Sequence, residues 1–185
     1  MKTIQLSGFL RESVGKTGSN ELRAYDRIPC ILYGGENQVS FWAHGYDFKD
    51  IIYTPEKSFI ELNIEGKKYL AIVQDSQYHP ISTALMHVDF LLVQEDKPVK
   101  MDLPLKFTGT ALGVLAGGKF MVRERKLRVK ALKKDMPDFL EVGIGHLEVG
   151  GLVRVKEINV SGVTILAAPN NPVCYVKAQR GMKKD

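Results

Sequence analysis

The stretch Ser58-Phe-Ile-Glu-Leu-Asn-Ile-Glu65 alternates apolar and polar residues, Gly66-Lys67 turns the chain, and Lys68-Tyr-Leu-Ala-Ile-Val-Gln74 returns. Period-two alternation is the pattern of a half-buried strand. Two such runs joined by a glycine turn read as a β-hairpin. The same rhythm extends outward. Residues 3–11 read as a first strand. Residues 30–33 form a short apolar strand closed by Gly34-Gly35, and residues 39–43 answer it across a turn. Residues 88–93 follow as another strand. Two short helices interrupt. The first runs over 19–26, opened by Ser19 as a capping residue and barred from continuing by Pro29. The second covers 46–53, with apolar residues at 48, 51 and 52, and ends at Thr54-Pro55.

Gln94-Glu-Asp-Lys-Pro98 is polar and carries a proline, which marks a linker between domains. The expected organisation is a domain over 1–93, a linker over 94–98, a second domain over 99–178 and a polar tail over 179–185. No helix is expected beyond the linker. Residues 99–107, 120–132, 140–144, 152–160, 163–166 and 173–178 all read as strands, punctuated by Gly and Pro. That pattern predicts a sandwich or barrel.

Composition narrows the function classes. Apolar residues make up 44% and charged residues 25% of the 185, which supports a folded core. No apolar run approaches the roughly 20 residues of a membrane helix. The N-terminus has no apolar leader core, so a cytoplasmic protein with no membrane partner is expected. Cys30 and Cys174 both sit in apolar runs and read as buried small hydrophobes rather than a disulfide. Charge is uneven. Residues 1–93 hold nine Lys and Arg against eleven Asp and Glu, a net −2, whereas residues 94–185 hold seventeen against ten, a net +7. A basic balance suggests a polyanionic partner.

Four stretches are candidate sites. Arg11 to Arg23 combines a glycine loop bearing Lys16 with a helix start at Ser19-Asn20. It reads as a phosphate-binding loop or as an ordinary polar turn. His79-Pro80 and His87-Val-Asp89 read as structural residues, as nucleic-acid contacts, or as ligands of a metal-dependent enzyme using His79, His87 and Asp89. The spacing fits no compact zinc pattern. His87 and Asp89 share one strand face, where such a pair can read base edges and 2′-hydroxyls. Gly113-Val-Leu-Ala-Gly-Gly118-Lys119 imitates a phosphate-binding loop. Phe120 stands where magnesium needs Ser or Thr, and a strand follows where a helix is needed, so nucleotide binding is rejected. Lys126, Arg128 and Lys130 share a strand face opposite Leu127, Val129 and Ala131. That face reads equally as a solvated surface or as a phosphate-contacting stripe, a secondary RNA contact. No nucleophile or acid–base motif is recognisable, which favours a binding protein over an enzyme. No metal or cofactor is expected.

Taken together, the motifs resemble one family. Arg11…Gly15-Lys16…Leu22-Arg23-Ala24, Ile28-Pro-Cys-Ile-Leu-Tyr33-Gly34, Gln74-Asp-Ser-Gln77-Tyr-His79-Pro80 and His87-Val-Asp-Phe90 are similar to the bacterial large-subunit ribosomal proteins L-twenty-five, which bind 5S rRNA. Leu103-Pro-Leu-Lys-Phe107-Thr-Gly109…Gly117-Gly118 and Met136-Pro-Asp-Phe-Leu-Glu-Val142 resemble the second domain of the long form, the general stress protein Ctc. The resemblance runs along nearly the whole chain.

It implies a mainly β protein: an N-terminal six-stranded β-barrel with short α-helices and a C-terminal all-β domain. It implies a non-enzymatic constituent of the large ribosomal subunit whose barrel docks on the minor groove of a distorted 5S rRNA helix. Arg11, Lys16 and Arg23, with Ser19 and Asn20 in the same loop and helix, carry over as phosphate-side contacts. Tyr33, Gln74, His87 and Asp89 carry over as sugar and base-edge contacts. The second domain is left to 23S rRNA or neighbouring ribosomal proteins. The chain also departs from the family. Asn20-Glu21 stands where an arginine pair is common, and Tyr78 where a basic residue is common, which implies fewer phosphate contacts and a flatter salt dependence. The alternative reading is a stress-linked RNA-binding protein that joins the ribosome conditionally.

Overall fold

The computed structural model describes residues 1–12, 15–54 and 57–179. Six strands carry the first unit: β1 (Thr3–Leu10), β2 (Arg27–Tyr33), β3 (Val39–His44), β4 (Phe59–Ile64), β5 (Lys67–Tyr78) and β6 (Leu85–Leu92). Helix α1 (Lys16–Ala24) links β1 to β2. A 3-10 turn over Gly45–Phe48 runs into α2 (Lys49–Ile52) between β3 and β4. The strands close into a barrel in the order β1-β3-β2-β6-β5-β4, sealed by parallel pairing of β1 with β4. Closure leaves no exposed sheet edge. The inward residues of the alternating strands fill the interior, with Phe41, Phe90, Leu62 and Val88 all at 0% exposure.

Several details differ from the sequence reading. α1 begins three residues before Ser19, which lies inside it and does not cap it. Its N-cap is Gly15, at φ 131° and ψ −176°, a conformation open essentially to glycine alone. The hairpin turns at Glu65-Gly66, with φ of 48° and 85°. Two positive values in sequence make the primed turn that matches strand twist. Pro29 lies within β2, but parallel pairing with β6 begins only at Cys30, so the missing N–H interrupts no bond on that side. β5 extends to Tyr78 and changes register between Val73 and Asp75.

The first unit closes at Lys97 and a second opens at Pro98. The second contains β7 (Val99–Thr108), α3 (Leu112–Leu115), β8 (Lys119–Val122), β9 (Lys126–Ala131), β10 (Leu140–Gly143), β11 (Leu152–Arg154), β12 (Thr164–Ile165) and β13 (Pro172–Lys177). These strands form one sheet in the order β10-β7-β9-β12 and another in the order β11-β13-β8. The helical turn α3 appears where none was expected. The strand read over 120–132 is two strands, because the chain passes from one sheet to the other at 123–125. The strand read over 152–160 stops at Arg154 and becomes a 3-10 turn over Val155–Glu157. Residues 180–185 of the polar tail, Ser13-Val14 of the glycine loop and Pro55 after the second helix lie outside the described residues.

Candidate RNA-binding face

A one-residue bulge builds the polar face. Along β5, Val73 pairs with Phe90 and so faces the core. Unbroken alternation would send Asp75 and Gln77 the same way. Instead Gln74 is skipped in the ladder, Asp75 pairs with Asp89, Ser76 with the fully buried Val88, and Gln77 with His87. Cross-strand partners share a face. The bulge therefore turns Asp75 and Gln77 outward beside Asp89 and His87. On the other flank of β6, Ile31 pairs with Asp89 and Tyr33 with Leu91, which adds Tyr33 to the same outer surface.

The groups on this face are held in place. His87 Nδ1 lies 2.6 Å from Asp89 Oδ1, with the two side chains 24% and 29% exposed. The imidazole nitrogens and the carboxylate oxygens are groups that an outside polar partner can engage. The phenol of Tyr33 is pushed above its ordinary range, first by burial and then by the negative charges of Asp89 and Asp75. It therefore stays a neutral hydroxyl, both donor and acceptor.

Helix α1 supplies the cations. Arg23 donates from Nε to the Met86 carbonyl (3.1 Å) and from Nη1 to Asn20 Oδ1 (3.4 Å). The first bond ties the helix to β6 one residue before His87. At the other end of α1, Arg11 Nη2 donates to Ser19 Oγ (3.0 Å), and that hydroxyl donates to the Gly15 carbonyl (2.8 Å). Lys16 is the first, exposed residue of the helix. So Tyr33, His87 and Asp89 share one face with Gln74 at the bulge beside them, Arg23 is tied to the β6 backbone at Met86 and touches Asn20, and Arg11 and Ser19 pair on the first half of α1, which opens with Lys16. Sequence reasoning missed Asp75 and Gln77. The available signal was the apolar run Leu70-Ala-Ile-Val73 followed by the four polar residues Gln74-Asp-Ser-Gln77, which breaks the two-residue period.

The remaining candidates resolve differently. His79 does not join His87 and Asp89. Its Nδ1 accepts from the backbone N–H of Ile81 (3.3 Å) and Ser82 (3.2 Å) and so organises the β5–β6 turn. Among the described residues no three His, Cys, Asp or Glu side chains gather as metal ligands would. The glycines of the phosphate-loop imitation serve packing. A Cβ on Gly113 would meet the backbone of Glu148 and Val149 at 2.6 Å, and one on Gly118 the Gly113 carbonyl at 2.6 Å. On β9, Lys126, Arg128 and Lys130 are exposed and their neighbours buried, as read. Arg128 is nonetheless engaged with Asp102 through Nε (2.8 Å) and Nη2 (3.2 Å), which removes one cation from the stripe. Lys130 stands directly across from Lys100. Both cysteines are free and buried. No described helix is long and apolar enough to cross a membrane.

Comparison with known proteins places these two β units in the class of ribosomal proteins. The model of the Ribosomal L25p family matches residues 6–90, and that of the Ribosomal protein TL5 C-terminal domain matches residues 98–180. The chain is 44% identical over 185 residues to a large ribosomal subunit protein bL25 of Cytophaga hutchinsonii, covering all of this chain and 96% of that protein. It is 43% identical to the bL25 of Amoebophilus asiaticus, over 99% of this chain and 93% of that one. Against the bL25 of Porphyromonas gingivalis it is 40% identical, over 99% and 96%. The chain belongs to the ribosomal L25p family, in its long two-domain form.

Proposed function

We propose that this protein is a structural constituent of the large ribosomal subunit that binds 5S rRNA with the outer face of β2, β6 and β5, flanked by α1. The observation that carries this reading is the bulge at Gln74. It aligns Asp75 and Gln77 with Asp89 and His87, and it has no evident use in a barrel core. An RNA minor groove is shallow and displays 2′-hydroxyls and base edges. A row of fixed carboxylates, an amide, an imidazole and a phenol supplies acceptors and donors to such a groove. Arg23, Lys16 and Arg11 lie on the helix side, where a phosphate backbone would pass. The net-acidic balance of residues 1–93 assigns recognition to shape and polar contacts more than to bulk charge.

In the second unit, Lys126, Lys130 and Lys100 form the surface suited to a second stretch of rRNA phosphate. Asn20-Glu21 in place of two cations supports the further reading that ribosome association is conditional. Its stoichiometry on ribosomes in unstressed cells decides between constitutive and conditional binding.

The test is a titration of the full chain with 5S rRNA at several salt concentrations. Arg23→Ala and His87→Ala are each expected to cost about 1–3 kcal/mol of affinity. Unchanged affinity in folded variants would overturn the assigned face.

A further inference from the structure

On the outer wall formed by β1, β3 and the start of β2, planar groups form a column. Phe9 stacks on Trp42 with ring centroids 4.5 Å apart and 22° between planes. The Arg27 guanidinium lies 4.5 Å from the Trp42 ring centroid and 5.8 Å from that of Tyr25. His44 packs edge-on against Trp42 at 5.3 Å. The column ends in water on both sides, with Phe9 45% and Tyr25 73% exposed. Between it and α1 is a cleft of about 320 Å³ whose walls include Arg11, Glu21, Leu22, Tyr25, Arg27 and Trp42.

Apart from Arg11, this surface plays no part in the face described above. Interleaved aromatic and guanidinium planes are the platform on which unpaired bases stack, whatever their sequence. The cleft adds two further elements of nucleotide recognition: a cation for phosphate in Arg11 and a carboxylate for an amino edge in Glu21. An apolar side chain from a protein partner would instead desolvate both charges without pairing them. The volume lies at the lower end of the roughly 300–1,000 Å³ of small-ligand sites, the size of a nucleotide rather than of a peptide segment.

We propose that the column and cleft take one unpaired nucleotide of the bound RNA, its base stacked on the Tyr25–Arg27 end and its amino edge toward Glu21. A carboxylate accepts two N–H bonds from the Watson–Crick edge of guanine, so guanine is the preferred base. The proposal rests on the RNA-binding reading given above, and the experiment separates the two.

Trp42 is the single tryptophan of the chain, so tryptophan emission reports this site alone. The full chain is titrated with 5S rRNA and, in parallel, with single-stranded oligoguanylate-containing and oligouridylate RNAs. Complex formation is followed by mobility shift and stacking by Trp42 emission. The expected result is quenching by 5S rRNA and stronger quenching by the guanine oligomer than by the uridine oligomer. Tyr25→Ala should weaken binding roughly 5- to 150-fold, and Glu21→Gln should narrow the preference for guanine. Tyr25 is largely exposed, so its variant should keep the native circular dichroism spectrum. A mobility shift with 5S rRNA but no change in Trp42 emission and no effect of Tyr25→Ala overturns the column while leaving the RNA reading intact. Quenching by guanine oligomers without a 5S rRNA complex keeps the column and overturns the choice of 5S rRNA. Loss of ribosome co-sedimentation in Tyr25→Ala with RNA affinity unchanged assigns the column to a protein contact and overturns the proposal.

Discussion

Asp75 of β5 stands directly across from Asp89 of β6 on the outer wall of the barrel. Like charges at opposed positions destabilise a sheet. His87 Nδ1 lies 2.6 Å from Asp89 Oδ1, a contact that carries an opposing charge only when the ring is protonated. A protein that needed only a closed barrel has no reason to keep the second carboxylate. Asp75→Asn is therefore expected to stabilise the first unit by about 0.2–1 kcal/mol while weakening 5S rRNA binding. Thermal melting and RNA titration of the same preparation check both halves. A variant that loses stability would show that the pair is not repulsive.

Deleting Gln74 is the sharper experiment on the same feature. Without Gln74 the pairs Val73–Phe90 and Asp75–Asp89 become consecutive, so Asp75 and Gln77 keep their outward side on a regular, unbulged strand. The expected outcome is a first unit that melts close to the parent, with RNA affinity lowered by the loss of the Gln74 amide and of the local twist that a bulge adds. A deletion with parental RNA affinity would remove Gln74 and its bulge from the argument.

Gly15 is the single residue between the loop and α1, and its φ of 131° with ψ of −176° is the basis of the next expectation. A Cβ there meets nothing within 4 Å, so the cost of Gly15→Ala is conformational alone, about 1–3 kcal/mol. The change should loosen α1 and lower RNA affinity through Lys16, Arg11 and Arg23. Amide exchange over residues 16–24 measures the first effect and titration the second.

Alkaline pH should unfold the first unit earlier than ordinary tyrosines and thiols would dictate. Burial raises the thiol of Cys30 well above its usual range near 9. Tyr33 is likewise raised above 10 by burial, Asp89 and Asp75. Both folded pKa values exceed the unfolded ones, so the folded state holds the extra protons. Stability is then complete below pH 9 and falls as pH rises through the unfolded thiol and tyrosine values. Denaturant titrations from pH 8 to pH 11 read the slope, and Cys30→Ala should delay its onset from pH 9 to pH 10.

In the second unit, Asp102 masks Arg128. Asp102→Asn should leave thermal stability nearly unchanged, because an exposed pair contributes little. If the β9 stripe meets phosphate, the variant should bind RNA more tightly at low salt, with a salt slope steeper by roughly 0.7–0.9. Lys130→Ala should move the slope the other way. Identical slopes in all three proteins would assign the stripe to solvent.

Much of this was legible in the amino-acid sequence. Alternation at Ile60, Leu62 and Ile64 specified a strand, and the Lys126–Ala131 pattern specified which side faces water. The positions of His87 and Asp89 followed from the same period of two. What escaped was everything that depends on a break in period or on a distant partner. The bulge at Gln74 leaves only a break in period in the sequence, and its position is fixed by the register of β6. The start of α1 at Lys16 depends on an unusual glycine conformation, whereas the side chain of Ser19 suggested a cap it does not form. The pairing of Arg128 joins residues 26 apart in sequence, and nothing local announces it. The Phe9–Trp42–Arg27–Tyr25 column draws on three strands and the end of a helix, so no single stretch contains it.

The order of strands in the barrel has a consequence in time as well as in space. β6 is the last of the six to be synthesised, yet it inserts between β2 and β5. Until residues 85–92 have emerged, neither flank of the future polar face has its neighbour, and His87 and Asp89 are absent altogether. A nascent or truncated chain therefore presents α1 and its cations without the surface that gives them meaning. On the proposed reading, the polar face is completed in the same step that completes the barrel.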